Sequence, residues 1–274
     1  MKGVTNDQLD PSVDVMRTVT LPLLKRLGVE DSGMELKVVK RGAKPLGGGE
    51  LVLRMPIVKQ LAHISMTDEG MVKRIRGVAY SMKVSPQNTN RMVCAVLLGL
   101  QVDGARGVLN QLLADVYVFT DAVSGSSSGL SPGFGLTLVA ETTSGCLISA
   151  EAAATAGGRA AGGGQGAGLE ALQEALVVPE DVGRLAAQAL LEEVQRGGVV
   201  DGSHQPLILT LAALGPEEMH EVRLGPLTTQ AVRTLRLLRD FAGVTFNIRT
   251  ERDSQTVFLS CIGAGLKNLA RKTT

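Results

Sequence analysis

The chain has no tryptophan, and aromatic residues make up only 3% of its 274 positions. That scarcity disfavours recognition of single-stranded nucleic acid by bases stacking on exposed aromatic platforms, so any nucleic-acid contact has to be mainly electrostatic. Cysteine is scarce as well. Cys94, Cys146 and Cys261 are odd in number and far apart, with no C-x-x-C and no histidine at ligand spacing. Disulfide scaffolds and zinc sites are therefore disfavoured, no metal or other cofactor is expected, and a reducing compartment fits. Neither sign of charge dominates. With a formal net charge of +1 there is no global basic field, and RNA phosphate would have to be met by a local cluster such as Lys73, Arg74 and Arg76. Long apolar runs are missing too: the longest, Val93 to Leu100, is too short to span a bilayer, and MKGVTNDQLDPS lacks a signal-peptide core. A soluble, intracellular protein is expected.

What the chain does have is apolar and small residues, 44% hydrophobic with 33 glycines, in a length that suits two domains. Met34, Leu36 and Val38 alternate with Glu35, Lys37 and Val39; Leu51, Leu53 and Met55 alternate with Glu50, Val52 and Arg54. That period of two predicts a β-hairpin. Between its strands runs R-G-A-K-P-L-G-G-G-E-L, Arg41 to Leu51, which is more than chain reversal needs. Two readings stand: a wide turn whose glycines take positive φ, or a backbone cradle for an anion.

Ahead of the hairpin, Asp10-Pro11 has the form of a cap and first-turn proline, and Val13, Met16, Val19, Leu23 and Leu27 follow at helical spacing up to Gly28. This helix is expected to pack on the hairpin, with Pro22 kinking it or removing one bond. Val72 to Met82 reads as a strand, and Ser85-Pro86 opens a helix running toward Leu113. Val116 and Val118, then Leu136 and Leu138, mark strands on either side of a Ser/Gly-rich loop, with another strand at Cys146 to Ala150. Glu151 to Gly168 is Ala/Gly-rich low-complexity sequence and reads as a surface loop. Helices are predicted after Pro179 to about Arg196, over Gln205 to Leu214 and over Leu227 to Phe241, and strands over Val244 to Ile248 and Thr256 to Cys261. Recurrent hairpin-like strand pairs favour an α+β fold over a doubly wound parallel sheet.

The Arg41 to Leu51 run, with R-I-R-G-V-A-Y-S (Arg74 to Ser81), V-S-P-Q-x-x-N-R-M-V (Val84 to Val93) and S-P-G-F-G-L-T-L-V-A-E-T-T-S-G (Ser131 to Gly145), resembles the RNA 3′-terminal phosphate cyclase superfamily. The last three runs are similar to its eukaryotic, non-cyclising, cyclase-like branch. The resemblance implies a core of repeated two-helix, four-strand units, formed by residues 1–70 and 199–274, and a smaller inserted domain at 71–198. It also implies that the family's first repeat and part of its second lie upstream of Met1, which would leave an apolar sheet face at Leu36, Val38, Leu51 and Leu53 uncovered. The run Cys94 to Val102 interrupts the family pattern; nine residues turn a helix by about 900°, so they are expected either to loop out or to throw the rest of the helix out of phase.

The resemblance also bears on chemistry. True cyclases carry E-H-x-x-D-Q, whose histidine is adenylylated by ATP. Here V-V-D-G-S-H-Q-P puts Asp201 at that histidine's place, and a carboxylate cannot form the same phosphoramidate. His204, three positions along, is read as a surface or cap histidine, and His63 and His220 as structural. Arg239 and Asp240 complete no full motif, since the Arg-Asp-x-Lys of some members ends here in Ala242, but Arg239 could stabilise a phosphorane-like transition state and Asp240 act as base. The resemblance thus implies a non-catalytic assembly factor for early small-subunit (18S) pre-rRNA processing in the nucleolus. Its expected partners are a nucleolar GTPase, the snoRNP-containing pre-ribosome and pre-rRNA, with no membrane. An RNA cyclase or pre-rRNA endonuclease is the alternative. Arg41, Gly42, Lys44, Pro45, Gly47, Gly48 and Gly49 are the expected anion- or partner-binding loop.

Overall fold

The computed structural model describes residues 1–29, 33–104, 115–155, 178–251 and 255–269. Its elements are β1 (Lys2–Gly3), α1 (Val13–Val15) continuing through a π-helical turn (Met16–Thr20) into α2 (Leu21–Arg26), β2 (Glu35–Lys40), β3 (Gly49–Arg54), β4 (Ser65–Met66), β5 (Val72–Met82) and α3 (Gln87–Gly104). There follow β6 (Val116–Val123), β7 (Gly133–Thr142), β8 (Leu147–Thr155), α4 (Pro179–Arg196), α5 (Gln205–Leu214), β9 (Met219–Leu224), α6 (Thr229–Ala242), β10 (Asn247–Thr250) and β11 (Val257–Ile262). The strands form three sheets, ordered β1-β3-β2, β10-β11-β9-β4 and β6-β5-β7-β8. This is an α+β architecture consistent with the RNA cyclase fold.

The first helix starts two residues later than its sequence suggests. Ser12 is the cap, its hydroxyl accepting from the Val15 amide, whereas the Asp7 side chain accepts from the Leu9 and Asp10 amides in the loop before it. Pro22 has no amide proton to donate, and the turn before it widens so that the Leu21 amide bonds the Met16 carbonyl. This helix does not lie on the hairpin. Val15 and Val19 pack on Val139 and Leu147 of β7 and β8, while Leu23 and Leu27 enter a core with Ile64, Leu209, Leu224 and Leu259.

The hairpin is less naked than expected. β2 pairs antiparallel with β3, setting Leu36 opposite Leu53 and Val38 opposite Leu51; Leu36 is buried and Val38 and Leu51 half-buried, with Leu53 the exposed member. In α3 the run Cys94 to Val102 neither loops out nor breaks phase, because the stripe Met92, Val96, Leu100 continues at i, i+4, i+8 and meets the matching stripe Val182, Ala186, Leu190 of α4. At Gly183 an added Cβ would stand 2.5 Å from the Met92 carbonyl oxygen, so the two helices touch backbone to backbone there. The expected continuation toward Leu113 lies outside the described residues.

Glu151 to Thr155 is strand, not loop: the alanines pair with Gly133 to Thr137 of β7, and 156–168 lie outside the described residues. Three strands have no counterpart in the sequence reading, β1, β4 and β9. In β9 the alternation is real but one inward residue is polar: His220 is buried, its Nδ1 accepting from the Ile64 amide (3.0 Å) and its Nε2–H donating to the Pro216 carbonyl (3.0 Å).

Candidate functional site

Arg41 is the last thing its sequence context suggests, a buried residue at only 2% exposure. Its Nη1 and Nη2 donate to both carboxylate oxygens of Asp14 (2.6 and 2.9 Å). Nε donates to Asp121 (2.7 Å), Nη1 also reaches the Asn6 carbonyl oxygen (3.3 Å), and the guanidinium lies 5.1 Å from the Tyr80 ring centroid. Burial opposes both charges, yet the paired hydrogen bonds hold the Asp14 carboxyl below, and Arg41 above, their ordinary ranges. The expectation that Arg41 accepts an external anion is therefore overturned: two carboxylates already occupy its fork.

The glycines serve a similar internal purpose. The Thr5 amide bonds the Gly42 carbonyl (2.8 Å), the Gly129 amide the Arg41 carbonyl (2.7 Å) and the Leu130 amide the Gly47 carbonyl (2.9 Å). Three stretches of backbone thus converge, and a Cβ at Gly42 would stand 2.3 Å from the Gly49 nitrogen. Gly48, at φ +81°, takes the left-handed region where glycine is favoured. Gly47 and Gly49 are buried in the same junction, leaving Lys44, Pro45 and Leu46 as the exposed apex. Lys44 pairs there with Asp7 (2.9 Å).

Asp201 and His204 form a second buried centre. Asp201 Oδ2 accepts from the Ser149 amide and hydroxyl (2.9 and 2.7 Å), and Oδ1 from the Ser203 hydroxyl, the His204 amide and His204 Nδ1–H (2.6, 3.1 and 2.8 Å). His204 Nε2 meets the Thr20 hydroxyl at 2.9 Å, so a neutral ring donates at one nitrogen and accepts at the other. His204 is 4% exposed; the surface placement is corrected, because the Asp201 carboxylate and Thr20 draw the ring inward at the start of α5. Burial works against ionisation of Asp201, but the His204, Ser149 and Ser203 donors overcome it and hold its pKa at about 2.

The other candidates lie on the surface. Lys73 and Arg74 share Glu141 (2.7 and 2.5 Å), and Arg76 grips Asp115 with two nitrogens (2.8 and 2.7 Å). Arg239 Nε donates to its neighbour Asp240 (2.9 Å); both side chains are more than half exposed on α6, and neither lines the clefts beside Asp201. The larger of these clefts, about 490 Å³, runs between the loop at Asp7 to Pro11, β8 and α4, and adjoins a second of about 240 Å³ whose wall includes Asp201. Their charged lining is largely acidic, with Asp7, Asp10, Glu151, Glu192 and Glu193 against Arg196. Sequence reading missed Asp14, Asp121 and Ser149, whose roles are set only by long-range partners. Among the described residues no group of three or more His, Cys, Asp and Glu side chains is arranged to hold a metal, and no helix is long and apolar enough to cross a membrane.

An arginine-anchored glycine junction beside an inserted four-stranded domain defines an RNA cyclase type of protein, and residues 67–195 match the family model of the RNA 3′-terminal phosphate cyclase insert domain. The chain belongs to the RNA 3′-terminal phosphate cyclase family, in its cyclase-like branch. It is 45% identical over 277 residues to the human RNA 3′-terminal phosphate cyclase-like protein, covering 99% of this chain and 68% of the human one. Identity is 44% over 273 residues to the probable cyclase-like protein of Dictyostelium discoideum, covering 100% of this chain and 70% of that protein. It is 38% over 276 residues to the rRNA processing protein rcl1 of Schizosaccharomyces pombe, covering 99% and 68%.

Proposed function

We propose that this chain is an rRNA-processing factor that acts on small-subunit (18S) precursors in the nucleolus and performs no cyclase chemistry. The carrying observation is Asp201. The resemblance aligns it with the nucleophilic histidine of true cyclases, and here it is a buried, ionised carboxylate whose two oxygens are filled by donors from β8 and the start of α5. A group so placed is a structural tie, without the nitrogen lone pair that an adenylylated histidine requires. His204 offers no substitute, since both its nitrogens are engaged. The name of the fission-yeast relative, rRNA processing protein, supports the process. The exposed apex Lys44, Pro45 and Leu46 is assigned to partner docking, with a nucleolar GTPase and the snoRNP-containing pre-ribosome as the partners.

Incubation with ATP labelled in its α-phosphate, with and without RNA ending in a 3′-phosphate, is expected to give neither a protein–AMP adduct nor a cyclic RNA end. An adduct that disappears in His204→Ala would overturn the non-catalytic reading. In fission-yeast cells depleted of their own relative, the chain is expected to collect in the nucleolus and restore mature 18S rRNA; failure on both counts would remove the processing assignment.

A further inference from the structure

The seven aromatic residues, two Tyr and five Phe, are few, but the fold does not spread them evenly. The parallel register of β5 and β6 sets Arg76 beside Tyr117 and Val78 beside Phe119. Ile75, Ala79, Val116 and Val118 belong to the core under α3 and α4, so the alternate residues Arg74, Arg76, Tyr117 and Phe119 project from the opposite face. One end of that face is closed by the glycine junction, where Ala43 packs with Tyr80, Met82 and Val123. Its β7 side is closed by Val15 and Val19. The corner left open holds Tyr117 at 63% and Phe119 at 54% exposure, beside the half-exposed side chains of Lys73, Arg74 and Arg76.

We propose that this corner binds single-stranded RNA, with bases stacked on Tyr117 and Phe119 and phosphates taken by Arg76, Arg74 and Lys73. The inference rests on the rRNA-processing reading for which RNA is bound. Two rings at i and i+2 of one strand, about 6.7 Å apart, form a platform for successive bases, and a ring accepts any base face. The cations are already engaged, but their partners are replaceable. Asp115 is 57% exposed in its pair with Arg76, and an exposed pair of this kind contributes little, so a phosphate displaces the carboxylate into water without stranding a buried charge. A protein partner is the weaker fit, because the rings' neighbours on β5 include a guanidinium in place of the apolar surround of an interface hot spot. Duplex RNA is disfavoured too, since a chain of net charge +1 has no broad basic field to follow two backbones.

The test is fluorescence anisotropy of a short labelled oligouridylate at low salt, using the full chain. Tyr117→Ala with Phe119→Ala is expected to weaken binding about five- to a hundredfold per ring with no change in the thermal melt, because both rings are exposed. Tyr117→Phe with Phe119→Tyr is expected to bind as the parent does, and Arg74→Gln with Arg76→Gln to flatten the salt dependence. Parent-like affinity in the double alanine variant, or no affinity in the parent, overturns the proposal. So does loss of pre-ribosome association in that variant at unchanged RNA affinity, which would give the corner to a protein. Ring-dependent RNA binding by a chain that fails to restore 18S rRNA would sink the processing reading alone; ring-independent binding by a chain that restores it would sink this corner alone.

Discussion

Replacing Arg41 by alanine leaves the Asp14 carboxylate at 0% exposure with only Asn6 and a distant Arg17 beside it. Removing one partner of such a pair costs about 3–5 kcal/mol. Arg41→Ala and Asp14→Ala are each expected to lower the urea midpoint by an amount of that order. The double variant is expected to lose far less than the sum, and additive losses in a double-mutant cycle would show that the pair is not coupled. Arg41→Lys keeps the charge but cannot fill both carboxylate oxygens and Asp121 at once, so it should behave more like alanine than like the parent. Asp201 makes a pH-dependent counterpart. Its folded pKa of about 2 lies below the unfolded value of about 3.9, so its contribution is complete above pH about 4 and disappears as pH falls toward 2. The shift corresponds to roughly 2.5 kcal/mol. Urea melts across that window are expected to show the parent losing its advantage over Asp201→Asn as the carboxylate protonates; a constant gap would mean the group does not titrate there.

Among the elements, α3 tests the reading of Cys94 to Val102 as a disruption. Val96 is fully buried, and Ala95 and Leu100 are at 5% exposure. Leu100→Ala is expected to cost about 2–5 kcal/mol, and deleting Cys94 to Val102 to lower the urea midpoint further, since three buried residues leave together. A midpoint equal to or above the parent's would restore the looped-out picture. Helix α3 was legible as a helix because its caps and period are local, but the fate of the nine residues was not, since their phase is decided by the facing stripe of α4. The same limit explains β8, where Ala152 to Ala154 have little strand propensity of their own and are held by pairing with β7. It explains β9 too, whose inward His220 hides the apolar alternation until Ile64 and Pro216 supply its partners.

For the molecule as a whole, the α+β class, the family and most long elements could be read from periodicity and motif, because those signals are contained in short windows. The site was legible only in outline. The sequence marks Arg41 and the glycines as unusual but cannot say whether they face a ligand or the chain itself, and it is Asp14, Asp121 and the backbone at Gly129 that decide. Those partners also impose an order in time. Arg41 is joined to Asp14 across 27 positions and to Asp121 across 80, and the loop's backbone is closed by amides at Gly129 and Leu130. During synthesis from the N-terminus, the family's signature run is made early and completed late. Until the segment ending at Leu130 has emerged, the arginine has one carboxylate of its two and the glycine junction has nothing to close against, so closure of this junction reports that the inserted sheet has begun to assemble upon it.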